Sequence, residues 1–317
     1  MTTPLGRGAV DRVLEATVVG SFSRLGPLVR RRTQDWTDIP SMTGRTVLVT
    51  GATSGLGLAA TRRFAALGAN VVGIGRNERV LDQLRGELGD QGLFWRFDLS
   101  DLDDVKRLAH QAKHLNRLDV IVHNAGALLS TYTPTRQDLE TTFSVHVLAP
   151  YVMTKILGRS DAARERRVLF MTSGGMYTQP FRLDELEMTS TNYRGSVAYA
   201  RAKRAQVVLV SALQRVEPPG GRRFYAVHPG WAATPGVQSS LPTFNLLTKP
   251  FLRTADQGVD GLVWLAATDP APIGGGLWLD REQRPTHRSK RMVSKDDVGD
   301  EQSLTAYLDE RMASIGM

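Results

Sequence analysis

Thr46-Val47-Leu48-Val49-Thr50-Gly51-Ala52-Thr53-Ser54-Gly55-Leu56-Gly57 decides how this chain is read. A short run of β-branched and aliphatic residues enters a turn with glycines at 51, 55 and 57. Leu58 to Leu67 then continues at helical spacing until Gly68 stops it. A glycine turn between strand and helix lets the backbone approach a pyrophosphate, and the helix N-terminus offers free N–H groups and partial positive charge. Glycines alone say little, because any tight strand–helix turn can use them. Their placement before a further strand–helix–strand unit points to dinucleotide binding, with Gly51, Thr53, Ser54, Gly55, Leu56 and Gly57 around the phosphates.

Working outward, strands are expected at Val71–Ile74, Leu93–Phe97, Val120–Val122, Val168–Met171 and Phe224–Val227, with Leu277–Leu279 as a seventh. Helices are expected at Arg79–Leu88, after a Ser100/Asp103 capping pair, at Leu139–Leu157 and at Ala198–Val216. Strands alternating with helices at this rhythm imply an α/β protein: a single doubly wound Rossmann-type domain with a mainly parallel sheet of six to seven strands. It spans 44–282, between an N-terminal extension (1–43) and a charged tail (283–317). Glu301 to Ser314 in the tail reads as a short helix with Leu304, Tyr307 and Leu308 on one side, to dock on the body or on a second subunit.

The 317 residues are 41% hydrophobic and 23% charged, which suits a sizeable core and excludes wholesale disorder. No cysteine is present, so disulfides, thiolate metal sites and a cysteine nucleophile are excluded together. His110 and His114 alone have the i, i+4 spacing of a helical zinc site, but no carboxylate ligand lies near; no metal is expected. The net charge of +8 favours anionic partners. Only seven of the 40 basic residues are lysine, and the arginines are spread along the chain with no nucleic-acid-binding signature, so nucleic acid is not an expected partner.

Val10, Val13, Leu14, Val18, Phe22, Leu25 and Val29 recur at helical spacing, interrupted by Arg12, Glu15 and Arg24 and followed by Arg30-Arg31-Arg32. This is too polar to span a bilayer and does not read as a secretory leader. An amphipathic helix is expected, lying on an anionic membrane or packing on the protein's own surface. The expected location is the cytoplasm, with peripheral membrane contact left open.

A ribose 2′-hydroxyl would be held by an acidic residue roughly 20 residues beyond the glycine turn, at the end of the second strand. Here that strand ends Gly73-Ile74-Gly75-Arg76-Asn77, with no carboxylate before Glu78. The planar fork of Arg76 suits a 2′-phosphate, so NADP(H) is preferred over NAD(H).

From about Gly44 to Asp280 the chain resembles the short-chain dehydrogenase/reductases. Thr50 to Gly57 is similar to the family's glycine signature, and Asp98-Leu99 to its acidic pair beside the adenine. His123-Asn124-Ala125-Gly126 resembles its Asn-Asn-Ala-Gly element, and Tyr199-Ala200-Arg201-Ala202-Lys203 its Tyr-x-x-x-Lys signature. Thr172 to Met176 and His228 to Val237 narrow the resemblance to one subgroup, as do the N-terminal segment and Asp280-Arg281.

The resemblance implies hydride transfer between a nicotinamide and a carbonyl or hydroxyl group, with Tyr199 exchanging the proton and Lys203 bonding the nicotinamide ribose. Tyr199 and Lys203 are four apart and share a helix face. Lowering a phenol by about three units needs roughly 4 kcal/mol, much of it expected from a close ammonium. Ser173, at the end of the fifth strand, would hold the carbonyl oxygen, while neighbouring Thr172 points to the opposite face. The resemblance also places Asn124, Ala125, Gly126, Pro229, Gly230 and Thr234 at the cofactor, Thr234 on its carboxamide.

One position departs. Where the family carries a catalytic asparagine, this chain has Val145-His146-Val147-Leu148. His146 can anchor a relay water, since imidazole both donates and accepts, or its presence can mean weakened catalysis or a helix packed differently. Between Pro235 and Leu252, residues Leu241, Phe244, Leu246, Leu247 and Phe251 suggest a greasy cover and a lipophilic substrate, although a core-packing helix would carry the same residues. The competing expectation is an NADP(H)-binding scaffold or redox sensor with little turnover. A homo-oligomer is in keeping with the family.

Overall fold

The computed structural model describes residues 5–159, 165–233, 248–289, 293 and 297–316. Its strands are β1 (Thr46–Thr50), β2 (Asn70–Gly75), β3 (Gly92–Arg96), β4 (Val120–His123), β5 (Arg167–Met171), β6 (Arg223–Val227), β7 (Leu277–Leu279) and β8 (Glu282–Arg284). They form one sheet in the order β3-β2-β1-β4-β5-β6-β7-β8, parallel throughout except for antiparallel β8. Every residue of β1, β4 and β5 is buried. Such continuous apolar runs are what a parallel sheet covered on both faces requires. The order in which successive strands are added reverses between parallel β1 and β4, so a crevice opens at the carboxyl ends of those two strands.

One face is covered by α4 (Gly55–Ala66) and α10 (Ala255–Ala267), through Phe64, Val259 and Leu262. The other is covered by α6 (Leu102–Lys113), the segment Thr141–Leu157, α9 (Gly195–Val216) and α11 (Asp297–Ser314). Helix α5 (Glu78–Leu88) packs Leu81 and Leu84 on Phe94 of β3.

Several elements differ from the sequence reading. The sheet has eight strands, because Asp280 and Arg281 make a two-residue turn with φ of 52° and 65° and fold a polar strand back on β7. Helix α6 is capped by Asp101, whose side chain accepts from Asp103 N, while Ser100 Oγ donates to Asp98. Helix α10 was not foreseen, although Thr254 and Gln257 form its capping box.

The expected helix over 139–157 is interrupted. A short α turn, α7 (Thr141–Phe143), leads into a π turn at Ser144–Leu148 before α8 (Ala149–Leu157). Pro150 has no N–H to return to the carbonyl of residue 146, four positions earlier. That freed His146 carbonyl accepts from Gln206 Nε2 at 2.8 Å.

The N-terminal extension is three helices, not one: α1 (Leu5–Ala16), α2 (Val18–Phe22) and α3 (Leu25–Thr33). Of the expected apolar stripe only Phe22 is fully buried, whereas Val10, Val13, Val18 and Leu25 are exposed. Charge holds the extension down. Arg30, with no exposed surface, donates to Asp11 and Glu15 at 2.7 Å each and to Asp280. Arg253 donates to Asp280 Oδ2 at 2.8 Å and to the Ser21 and Phe22 carbonyls at 2.7 and 3.0 Å. Arg284 and Arg288 reach Asp11 and Glu15 from the other side. Burial alone would push the Asp280 carboxyl up; the Arg253 and Arg30 guanidiniums outweigh it and hold it below the usual carboxylate range.

Of the two destinations left open for the tail helix, α11 takes the body. Leu304 and Leu308 are fully buried, Glu301 pairs with Arg215 at 2.6 Å, and Asp309 accepts from Tyr151 Oη at 2.8 Å. Among the described residues no helix is long and apolar enough to cross a membrane, and no His/Asp/Glu cluster suits a metal.

Asp280→Asn would leave two buried guanidiniums short of a charge partner. It is expected to cost about 3–5 kcal/mol in denaturant unfolding. Because Asp280 is depressed in the folded state, its contribution is present above its ordinary value near about 4. It is lost as pH falls through the lower folded value. The wild-type protein should therefore lose stability on acidification below about pH 4 more steeply than the variant.

Candidate active site

At the β1–α4 turn, Gly51 and Gly55 adopt left-handed φ of 70° and 51°. A Cβ on Gly57 would lie 2.1 Å from Gly51 O, and one on Gly51 would lie 2.9 Å from Ala125 Cα. Thr50 Oγ1 fastens this turn to the end of β4: it accepts from Asn124 N and Ala125 N at 3.0 Å each and donates to Val122 O at 3.2 Å. Asn124 Nδ2 donates to Thr50 O at 3.0 Å. Ser54 caps α4 without a side-chain hydrogen bond to the first turn, so its leading amides stay available to an anion. This uncapped, glycine-lined turn fits a dinucleotide pyrophosphate. The other two predicted residues here pack inward: Thr53 covers Gly75 at the end of β2, and Leu56 joins the core.

Arg76 follows β2 with an exposed side chain, its Nη1 3.4 Å from Asp98 Oδ2. Burial would raise the Asp98 carboxyl, but bonds from Ser100 and the Arg76 charge hold it below the usual range. Leu99 is buried in the core. His123 is likewise internal, its ring 4.8 Å from Phe170 and its titration pulled down to about 3 by burial.

Ser173 leaves β5 and caps a short 3-10 turn, Gly174–Thr178, accepting from Gly175 N at 3.4 Å. Thr172 donates to Lys203 O at 3.0 Å and so ties α9 to the strand end; contrary to the expected opposite face, it too meets this helix, because strict alternation ends with β5 at Met171. Lys203 is buried, donates through Nζ to Met171 O at 2.7 Å and lies 5.4 Å from the Tyr199 ring centre. Burial pulls Lys203 down to about 7 and pushes Tyr199 up, with the Ser173 hydroxyl pulling the phenol the other way. The expected lowering of the phenol by the ammonium is thus not the leading effect. Desolvation disfavours the charged form of both groups.

His146 stands edge-on to Tyr199, ring centres 5.3 Å apart at 88°. Its Nε2 is 3.1 Å from Ala127 N and 2.9 Å from Ala127 O. Burial and the Lys203 charge keep the imidazole well below its usual titration, so it carries one proton. With that proton on Nε2 it donates to the Ala127 carbonyl; with it on Nδ1, Nε2 accepts from the Ala127 amide. In either case Nδ1 has no hydrogen-bond partner among the described atoms. Gly126 makes room for the ring, since a Cβ there would lie 2.4 Å from His146 Cε1.

Gly230 follows Pro229 at φ 72° and donates to His228 Nδ1 at 2.7 Å. Thr234, Leu241, Phe244, Leu246 and Leu247 lie outside the described residues; Phe251 is exposed. The sequence reading missed Phe22 as a neighbour of this site. Its ring lies 4.3 Å from His228 and 6.0 Å from Tyr177, and Trp231 N donates to Phe22 O at 2.7 Å. No local signal distinguished it from the other apolar residues of its stripe.

A glycine-turn crevice with serine, tyrosine and lysine converging beside it defines a nicotinamide-dependent oxidoreductase. Residues 45–243 match the short chain dehydrogenase family, and the chain belongs to it. It is 32% identical over 269 residues to human dehydrogenase/reductase SDR family member 12, covering 82% of this chain and 84% of that protein. This is the subgroup that Thr172–Met176 and His228–Val237 resemble. Mouse retinol dehydrogenase 14 is 28% identical over 274 residues, 79% of this chain and 82% of that one. A solved, uncharacterised protein from Mycobacterium paratuberculosis superposes with a TM-score of 0.67 at 28% identity, covering 87% of this chain and 97% of that one.

Gly57→Ala should force the turn apart. Fluorescence titration is expected to show at least about tenfold weaker dinucleotide binding, the worth of one lost amide hydrogen bond to the anionic pyrophosphate.

Proposed function

We propose that this protein is an NADP(H)-dependent reductase or alcohol dehydrogenase acting on a lipophilic carbonyl or alcohol. The observation that carries the reading is the convergence of Ser173, Tyr199 and Lys203 at the carboxyl end of β5, beside the crevice. The dinucleotide, when bound, supplies the hydride in reduction or accepts it in oxidation. The Tyr199 hydroxyl gives its proton to the carbonyl oxygen, and Ser173 donates a hydrogen bond to that same oxygen as negative charge develops. Lys203, held by the Met171 carbonyl, faces the phenol ring and favours phenolate once protonated. His146 acts as a positioning residue: it fixes Ala127 and the Tyr199 ring, and its free Nδ1 supports a water-mediated link toward Lys203.

Arg76 supports the preference for a 2′-phosphate, since it is exposed at the end of β2 and no carboxylate takes that place in the sequence. The name of the retinol dehydrogenase relative and the apolar letters of 235–252 support a lipophilic substrate.

The test is NADPH consumption against a panel of lipophilic aldehydes and ketones. Tyr199→Phe should abolish turnover while leaving NADPH binding within about twofold, since the phenyl ring keeps its packing on His146. Arg76→Ala should weaken NADPH by about 10- to 100-fold, the worth of a charge-assisted bond, and leave NADH unchanged. Equal loss for both cofactors would remove the 2′-phosphate assignment.

A further inference from the structure

The N-terminal extension is folded inside out. The two acids within its helices, Asp11 and Glu15, turn inward, where Arg30 of α3 and Arg284 and Arg288 of the body take them up. Its aliphatic side chains turn away: Val13 is 68% exposed, Val19 50% and Leu28 47%, with Val10, Val18 and Leu25 exposed beside them. The three helices pack against one another, so these side chains lie on the outer surface of one small unit. Phe251 extends that surface; it is exposed, and its carbonyl accepts from Arg24 N at 2.9 Å. A surface helix in water normally shows the reverse arrangement, and a cluster of exposed aliphatics marks a contact surface.

The exposed charges on the three helices are of one sign. Arg12, Arg24, Arg31 and Arg32 are exposed, and among the described residues none of them forms an ion pair. Between residues 8 and 34 no acid is exposed; the next ones, Asp35 and Asp38, are exposed in the segment that follows α3. Aliphatics fringed by unpaired arginines suit an anionic lipid surface: the apolar side chains enter the acyl boundary, and the guanidiniums meet the phosphates and carboxylates of the headgroups. A second protein or a second copy of this chain would be expected to bring acids to those arginines. No described acid on this unit offers the reciprocal charge that a two-fold self-contact needs.

We infer that the outer face of α1–α3, with Phe251, is a docking surface for anionic membranes. The same short helix that exposes Val18 and Val19 outward sets Phe22 inward against His228 and the Ser173–Tyr177 loop. The membrane face and the candidate catalytic loops are therefore two sides of one element, which places the site where a membrane-dissolved carbonyl or alcohol can reach it. That last step rests on the reductase reading; the docking surface does not.

The test is co-sedimentation of the full chain with vesicles of phosphatidylcholine alone or with phosphatidylserine added. Binding is expected on the anionic vesicles only, falling as salt rises. Arg31→Glu with Arg32→Glu should reduce it by at least about tenfold, at roughly fivefold per basic residue. A Val13→Asp, Val19→Asp, Leu28→Asp variant should abolish it. Wild-type NADPH affinity and thermal midpoint in these variants would show that the fold is kept. Absence of wild-type binding to anionic vesicles would overturn the inference, as would binding that survives the triple substitution. A dimer in solution that the triple variant dissociates would also overturn it, since the face would then belong to a second copy. Vesicle binding without turnover would count against the reductase reading alone, and turnover without vesicle binding against the membrane face alone.

Discussion

The carboxylate of Asp280, buried between the guanidiniums of Arg30 and Arg253, governs more of this structure than any other single contact. It stands at the first position of the β7–β8 turn, where its φ is left-handed, a conformation that Asp tolerates better than most residues. Neutralising it joins four segments: the extension, the loop after β6, the segment before α10 and the sheet edge. Arg253 also fills the space over Gly230, where a Cβ would lie 2.1 Å from its Nε, so the loop after β6 is seated on the same guanidinium. A buried pair of this kind gives little net stability over an apolar substitute. Its effect is to dictate which side of the extension faces inward, because uncompensated charge cannot be buried.

At the other end of the crevice the governing feature is dryness. Lys203 and His146 are held away from water by β5, α9 and the π turn, Tyr199 is half-buried beside them, and desolvation is the leading effect on the titration of all three. In such a setting a charge persists only where neighbours support it. The Met171 carbonyl does so for the ammonium and the Ser173 hydroxyl for the phenolate. Each proton shift then responds strongly to a charge brought alongside, which is the property that acid–base catalysis at neutral pH requires.

The position of His146 follows from a proline four residues later. Pro150 cannot donate to the His146 carbonyl, the helix opens into a π turn, and Gln206 of α9 takes that carbonyl instead. The imidazole is thereby aimed across Gly126 at the loop after β4 and against the Tyr199 ring. A helix read as continuous from its apolar spacing thus contains the irregular turn on which the site's orientation rests.

Strand positions, the glycine turn and the order of the layers were legible in the sequence, because each depends on short-range rules: β-branched runs, glycine φ, helix stops and crossover length. Ser173, Tyr199 and Lys203 were singled out as candidates by motif, and Arg76 by the missing acid. What the sequence by itself could not determine was sidedness. The stripe from Val10 to Val29 says which residues share a helix face but not which face turns inward. That was decided by Asp280, 250 positions away from Arg30 along the chain. The same holds for β8, a polar triplet that is a strand only because the turn before it is fixed by buried charge, and for Phe22, which meets His228 only once the extension is docked. Local propensity acts over a few residues, whereas the compensation of buried charge depends on which distant segments the fold brings together, so only the tertiary structure could assign these faces.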